Sequence, residues 1–286
     1  MTPGSIWCVT DGLAGHRSQL RGLSEALQRR CHATVVWLSP DSTPPEAPPW
    51  LILAAGRRTH WRALRLRCQY GGRLVVLMRP SLPRRLFDLC ILPDHDGVPE
   101  GPRTWLTCGP LNPVAAQTTL ATHAGLILLG GPSRHHSWSP EDLEQQLRQL
   151  RQALPGVRWT AGTSRRTPEA TLGILATLED SRFRVMPAQA APPGWLLSQF
   201  QQCGIIWVTE DSAAMVYEAL SSGASVGVLK VPRRHDSRVS RGLDALVEAG
   251  RLSTLPQLKA NRDMPASGPP LQEADRIAAR LIDHFA

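Results

Sequence analysis

Short apolar runs alternate along the chain with longer segments whose apolar residues return every three or four positions. The runs cover residues 6–9, 34–38, 51–54, 74–78, 89–92 and 104–107, then 125–129, 157–160, 183–186, 205–208 and 225–229. Their length and their polar, glycine or proline boundaries predict β-strands. Between them lie helical patterns at 16–30 and 59–69, and later at 140–153, 168–180, 193–202, 212–222 and 237–250. In the first of these, Leu20, Leu23, Ala26 and Leu27 mark one apolar face. Pro140, Pro168 and Pro193 each stand near a helix start, where a missing N–H is harmless. Strand–helix–strand alternation predicts α/β architecture with a mostly parallel sheet covered by helices.

The plan runs twice. A chain of 286 residues accommodates two such domains better than one. The expected division is an N-terminal Rossmann-like domain of residues 1–118 and a C-terminal one of 119–286, the two facing a central cleft. The proline-rich stretch 40–49 reads as a connector, because it returns directly to a strand. After a loop at 261–270, apolar residues at Leu271, Ala274, Ile277, Ala278, Leu281, Ile282 and Phe285 predict an amphipathic helix that closes the second domain.

Composition narrows the partners. The net charge of +8 comes almost wholly from arginine, since Lys230 and Lys259 are the lysines of the chain. That excess fits an anionic partner: a nucleotide, a phospholipid surface or nucleic acid. No nucleic-acid-binding module is present, so nucleic acid is not expected. Cys8, Cys31, Cys68, Cys90, Cys108 and Cys203 form no CxxC pair, which suits free thiols in a reducing compartment and gives no zinc-ligand spacing. Asp94, His95 and Asp96 carry metal-capable side chains but read as a solvated loop, so no metal or cofactor is expected. The start of the chain lacks a signal-peptide pattern, and its apolar runs fall well short of the ~18 residues that span a bilayer. The expected location is the cytoplasm, with the inner face of the cytoplasmic membrane as a resting surface. Within residues 57–67, Arg58, Arg62 and Arg65 share a helix face beside Trp61, which suits an anionic membrane surface.

Candidate chemistry gathers after the strands. Thr10-Asp11-Gly12-Leu13-Ala14-Gly15-His16 turns from the first strand into the first helix. Gly12 and Gly15 let the backbone turn sharply and approach a ligand. Ligands of open α/β sheets bind at this end of the strands. His16, with Asp11 beside it, is a candidate general base. Gly130-Gly131-Pro132-Ser133-Arg134 follows a second strand, where Gly130, Gly131 and Ser133 offer donors and Arg134 a charge to a phosphate. Arg165 and Arg166 follow another, where an arginine neutralises a leaving diphosphate. Asp211 or Ser212 caps the next helix, whose start holds a phosphate. Almost two turns on, Glu218 suits a ribose diol, and Gly223 ends the helix.

Four of these segments together resemble the mitochondrial fission ELM-type family of plants and proteobacteria. They are the motif at 10–19, Gly-Gly-Pro-Ser at 130–133, Thr-Ser-Arg-Arg-Thr-Pro at 163–168, and Thr-Glu-Asp-Ser-Ala-Ala-Met-Val-Tyr-Glu-Ala at 209–219. The family looks like a branch of the GT-B glycosyltransferases, whose peptidoglycan GlcNAc transferase has a comparable glycine turn and a comparable Glu. One departure is Gly223-Ala224-Ser225-Val226, where the superfamily usually has Gly-x-Pro-Val. The resemblance implies a nucleotide sugar against Gly130, Gly131, Ser133, Arg165, Ser212 and Glu218, and an acceptor facing His16 and the Gly12 to Gly15 turn. The implied activity is transfer of a sugar from a nucleotide sugar to an envelope or lipid-linked acceptor. The alternatives are a non-catalytic membrane-surface recruiter on a GT-B scaffold and a nucleotide-sugar epimerase.

Overall fold

The computed structural model describes residues 4–261, 263–266 and 268–285. It divides into two compact units, one formed by residues 1–113 with 272–286 and the other by 114–271.

The first unit is built on six parallel strands: β1 (Ser5–Val9), β2 (Val35–Leu38), β3 (Pro49–Ala55), β4 (Arg73–Leu77), β5 (Leu89–Pro93) and β6 (Thr104–Thr107). Their order in the sheet is β2-β1-β3-β4-β5-β6. Every pairing is parallel, so the strands lie between helical layers and are apolar on both faces. Helix α1 (Ala14–Cys31) buries Leu20, Leu23, Ala26 and Leu27 against one face, the stripe its periodicity predicts. Helix α2 (His60–Tyr70) covers the other with Ala63 and Leu66.

The second unit repeats the arrangement with β7 (Ala121–Leu128), α3 (Pro140–Ala153), β8 (Arg158–Gly162), α4 (Glu169–Leu178), β9 (Phe183–Met186), α5 (Trp195–Gln202) and β10 (Cys203–Thr209). It continues through α6 (Ala213–Ser222), β11 (Ser225–Leu229), α7 (Arg238–Glu248), β12 (Ser253–Thr254) and α8 (Leu255–Asn261). The sheet order is β12-β11-β10-β7-β8-β9, again all parallel. Trp207 in the central β10 is fully buried and lies against Gly227 of the neighbouring strand, where a Cβ would come within 2.5 Å of the indole. The indole thus fills the volume that a side chain at 227 would take.

One element changes partner relative to the sequence expectation. The closing helix α9 (Glu273–Phe285) belongs to the first unit rather than the second. Its Ala274, Ile277, Ala278 and Leu281 join the core formed by α1 and the sheet. Polar ties fix it there: Glu273 accepts from the Cys108 amide at 2.9 Å, and Arg276 donates to the Leu106 carbonyl at 2.7 Å. Burying Ile277 and Leu281 together contributes about 3–6 kcal/mol. Amphipathicity showed that this helix needed an apolar partner. It did not say which sheet supplied one.

Candidate functional site

The strand orders locate the chemistry. In each sheet the order reverses at one place, between β1 and β3 in the first unit and between β7 and β10 in the second. Loops leaving the carboxyl ends of two such strands diverge and leave a crevice where ligands of α/β sheets bind. Asp11 and Gly56 follow β1 and β3, while Gly130 and Asp211 follow β7 and β10.

In the first unit the crevice holds an Asp–His pair. His16 lies in the first turn of α1, and its Nδ1 is 2.9 Å and 3.0 Å from the two carboxylate oxygens of Asp11. Asp11 also accepts from the Leu13 amide at 3.2 Å, and Gly12 turns the chain at φ 82°. Burial raises the Asp11 carboxyl pKa, but the His16 hydrogen bond and the Leu13 amide outweigh it and hold the value below the usual carboxylate range. An ionised Asp11 only accepts, so Nδ1 is the donor of this bond, and in the neutral imidazole that arrangement leaves Nε2 with the lone pair. This is the tautomer a general base needs.

Gly56, which the sequence reading passed over, makes room for that pair. Its φ is 91°, and a Cβ there would lie 2.4 Å from His16 Nδ1 and 2.8 Å from Asp11 Oδ2. The signal was available: it is a glycine directly after an apolar strand, at the second strand of the crevice. A buried Thr59 hydroxyl donates to the Gly56 carbonyl at 2.7 Å and fixes the turn.

In the second unit the glycine turn is closed by its own side chains. The Gly130 amide donates to Thr209 Oγ1 at 2.8 Å and the Gly131 amide to Asp211 Oδ2 at 3.0 Å. These two amides are therefore already committed, whereas the sequence reading offered them to a phosphate. Ser133 likewise turns inward, its Oγ accepting from the His135 and His136 amides. Arg166, rather than Arg165, braces the turn: it donates to the Gly131 carbonyl at 2.7 Å and to Asp211 at 2.8 Å. Arg165 and Arg134 are exposed, and among the described residues neither has a hydrogen bond or ion pair. Helix α6 starts at Ser212, which is the cap residue by position but forms no side-chain cap bond, and Gly223 ends it in the left-handed conformation. Glu218 sits half-buried one turn beyond the exposed Ala214. Asp211 does not cap: its side chain is fully buried, and Oδ1 has no hydrogen-bond partner among the described residues.

A second charged cluster stands behind this turn. Glu210, buried, accepts from the Val231 amide at 3.1 Å, from Lys230 at 3.1 Å and from Arg233 at 2.7 Å. Arg233 also grips Asp244 with two bonds of 2.7 Å. Those bonds hold the Asp244 carboxyl below its ordinary range, against the opposing effect of burial. His136 is buried beside the cluster, and burial lowers its pKa even though Glu210 and Asp211 pull the other way. The sequence named Glu210 only as part of a motif, because its three partners come from a later loop.

Trp61 and Arg65 are exposed on α2, whereas Arg58, also exposed, lies in the 3-10 turn of residues 57–59 before the helix begins and not on the helix face its spacing predicts. Arg62 is half-buried, with its guanidinium on the carbonyls of Ser39 and Ser42. Asp94, His95 and Asp96 form a single 3-10 turn after β5. Among the described residues no group of three metal-capable side chains comes together, and no helix is long and apolar enough to cross a membrane.

The sequence profile described as Mitochondrial fission ELM1 matches residues 14–285. The chain belongs to the mitochondrial fission ELM1 family. A relative of this ELM1 chain, the uncharacterized protein RP120 of Rickettsia prowazekii (strain Madrid E), is 44% identical over 64 residues. That stretch is 22% of this chain and 17% of the relative. Solved structures of similar shape include a putative UDP-N-acetylglucosamine 2-epimerase from Listeria monocytogenes, at 13% identity and TM-score 0.59 over 100% of this chain and 97% of that one. Acinetobacter baumannii MurG is similar at 11% identity and TM-score 0.53, covering 99% of both chains. The glycotransferase of kitacinnamycin is similar at 15% identity and TM-score 0.51, again over 99% of both. This ELM1 family member has the GT-B fold.

Proposed function

We propose that this chain transfers a sugar from a nucleotide sugar to a hydroxyl acceptor of envelope or lipid-linked type. The observation that carries the reading is the Asp11–His16 pair at the strand-order reversal, with Asp11 engaged at Nδ1 and Gly56 clearing the space beside it. His16 Nε2 takes the acceptor hydroxyl proton, and the oxygen bonds to the anomeric carbon. The bond from that carbon to the diphosphate breaks, and the nucleoside diphosphate leaves with the electron pair. Asp11 stabilises the imidazolium that forms.

The donor belongs to the second unit. Its diphosphate is assigned to the start of α6, with Arg165 and Arg134 supplying charge, and its ribose diol to Glu218. Gly130 and Gly131 shape the turn through Asp211 and Thr209 in this reading and do not hold the phosphate themselves. The similarity of fold to a UDP-N-acetylglucosamine 2-epimerase favours a second reading, in which the nucleotide sugar is rearranged with no acceptor. The two differ in product: the epimerase reading yields a changed nucleotide sugar from donor alone.

Calorimetry of the full chain with UDP and UDP-N-acetylglucosamine tests the donor site. Glu218→Ala is expected to weaken binding about 10- to 150-fold, the loss of a hydrogen bond to an ionised acceptor. Wild-type protein that binds neither nucleotide sinks the sugar-nucleotide reading and leaves the scaffold without catalysis. Equal affinity of wild type and variant removes Glu218 from the ribose.

A further inference from the structure

A cavity of about 470 Å³ lies beside Asp11 in the first unit, walled by Pro40, Arg58, Trp61, Arg62 and Arg65. Three arginines therefore line one concave surface against a single carboxylate, and that carboxylate is already engaged by His16 and the Leu13 amide. Arg58 stands in the 3-10 turn that precedes α2, and Arg62 and Arg65 follow within the helix, so like charges are gathered at one wall of the cavity. Arg62 is occupied by the carbonyls of Ser39 and Ser42. Among the described residues Arg58 and Arg65 have neither hydrogen bond nor ion pair. Trp61 stands between them on the rim with 70% of its surface exposed. An indole so placed offers a flat apolar platform next to the charges.

From this juxtaposition we infer that the cavity binds a phosphoryl group borne on the acceptor, held by Arg58 and Arg65 with the adjoining ring lying on Trp61. Guanidinium presents paired N–H donors that match the oxygens of a phosphate and keeps its charge at every physiological pH. The volume falls in the range of small-molecule sites. Asp11 is part of the same wall, so a group held by the arginines places its own hydroxyls toward the Asp11–His16 pair. Only the word acceptor rests on the transfer reading; the phosphoryl site stands on the cavity itself.

The full chain, as wild type and as Arg58→Gln/Arg65→Gln, is titrated with a hexose 1-phosphate, with the matching uncharged methyl hexoside, and with vesicles. The vesicles are phosphatidylcholine alone, with phosphatidic acid, or with phosphatidylserine at equal charge. Wild type is expected to bind a phosphorylated probe and not the methyl hexoside, and the double variant to bind about 10- to 100-fold more weakly. Binding of the soluble hexose phosphate points to a free phosphorylated acceptor, and binding of phosphatidic acid vesicles alone to a lipid-borne one. Either supports the site. Three results overturn it: no phosphorylated probe binds, the double variant binds as wild type does, or phosphatidylserine serves as well as phosphatidic acid. The last outcome makes these arginines a general membrane-surface patch. Affinity for UDP, measured on the same two proteins, is expected to be unchanged by the double substitution. A wild type that ignores UDP but binds the phosphorylated probe breaks the transfer reading and leaves the cavity assignment in place.

Discussion

Gly12 and Gly15 stand in open space, and a Cβ added to either would meet nothing within 4 Å. Gly130 and Gly131 stand against neighbours: an added Cβ would lie 2.1 Å from Asp211 Oδ2 at the first and 2.1 Å from the Arg166 carbonyl oxygen at the second. Both turns follow a buried strand, both sit where strand order reverses, and both read as glycine-rich ligand loops. Yet the first uses glycine for a positive φ and an unobstructed helix start, and the second uses it to let side chains close over the backbone. The same residue type therefore marks an open surface in one unit and a packed brace in the other. The first turn presents its chemistry through side chains, Asp11 and His16. In the second, the groups left over for a ligand lie beyond the glycines, at the start of α6 and on exposed arginines.

The largest effect that would sharpen this contrast is on turnover. His16→Ala is expected to lower the rate of transfer about 10²- to 10⁴-fold with little change in donor affinity. Gly56→Ala should reproduce much of that loss, because its Cβ displaces the imidazole. Turnover of either variant at the wild-type rate, measured alongside donor Kd, would leave the first turn purely structural.

Stability separates the turns next. Gly131→Ala meets a backbone carbonyl that cannot swing aside, and is expected to destabilise the second unit by about 1–3 kcal/mol or more. Urea unfolding with probes in each unit measures it. An unchanged midpoint would mean that the second turn is as open as the first.

Acid should also find the second unit. His136 is held neutral by burial, so an unfolded chain takes up a proton first as pH falls through about 6.5, and stability declines from there downward. Asp244 behaves in the complementary way. Its folded pKa is depressed, so its contribution is present above the unfolded value of about 3.9 and is lost as pH falls through the lower folded one. Thermal midpoints across pH should therefore fall in two stages, and Asp244→Asn should erase the lower stage. Wild type and Asp244→Asn with identical acid profiles would remove the Arg233 clamp from the account.

The smallest effect has the opposite sign. Gly15 lies within α1 with open space around it, so Gly15→Ala is expected to stabilise the first unit by about 0.5 kcal/mol through lower chain entropy. A loss of stability there would show that the first turn is packed after all.

What the chain alone determined is local. Continuous apolar runs and three-to-four periodicity placed the strands and most helices within a few residues, because buried strands and amphipathic helices impose those spacings on any sequence that forms them. The alternation of the two carried the α/β plan, and four ordered motifs carried the family. The Asp11–His16 pair was within reach because its members are five positions apart across one turn. The two short elements β12 and α8 left too little periodicity to read. What only tertiary structure decided depends on partners distant in sequence. It assigned α9 to the first sheet, set Gly56 beside His16, made Arg166 rather than Arg165 the brace, and joined Glu210 to Lys230 and Arg233. An apolar stripe or a charge records that a residue needs a partner. Which partner it gets is fixed by strand order, and strand order is settled only when the whole sheet closes its core.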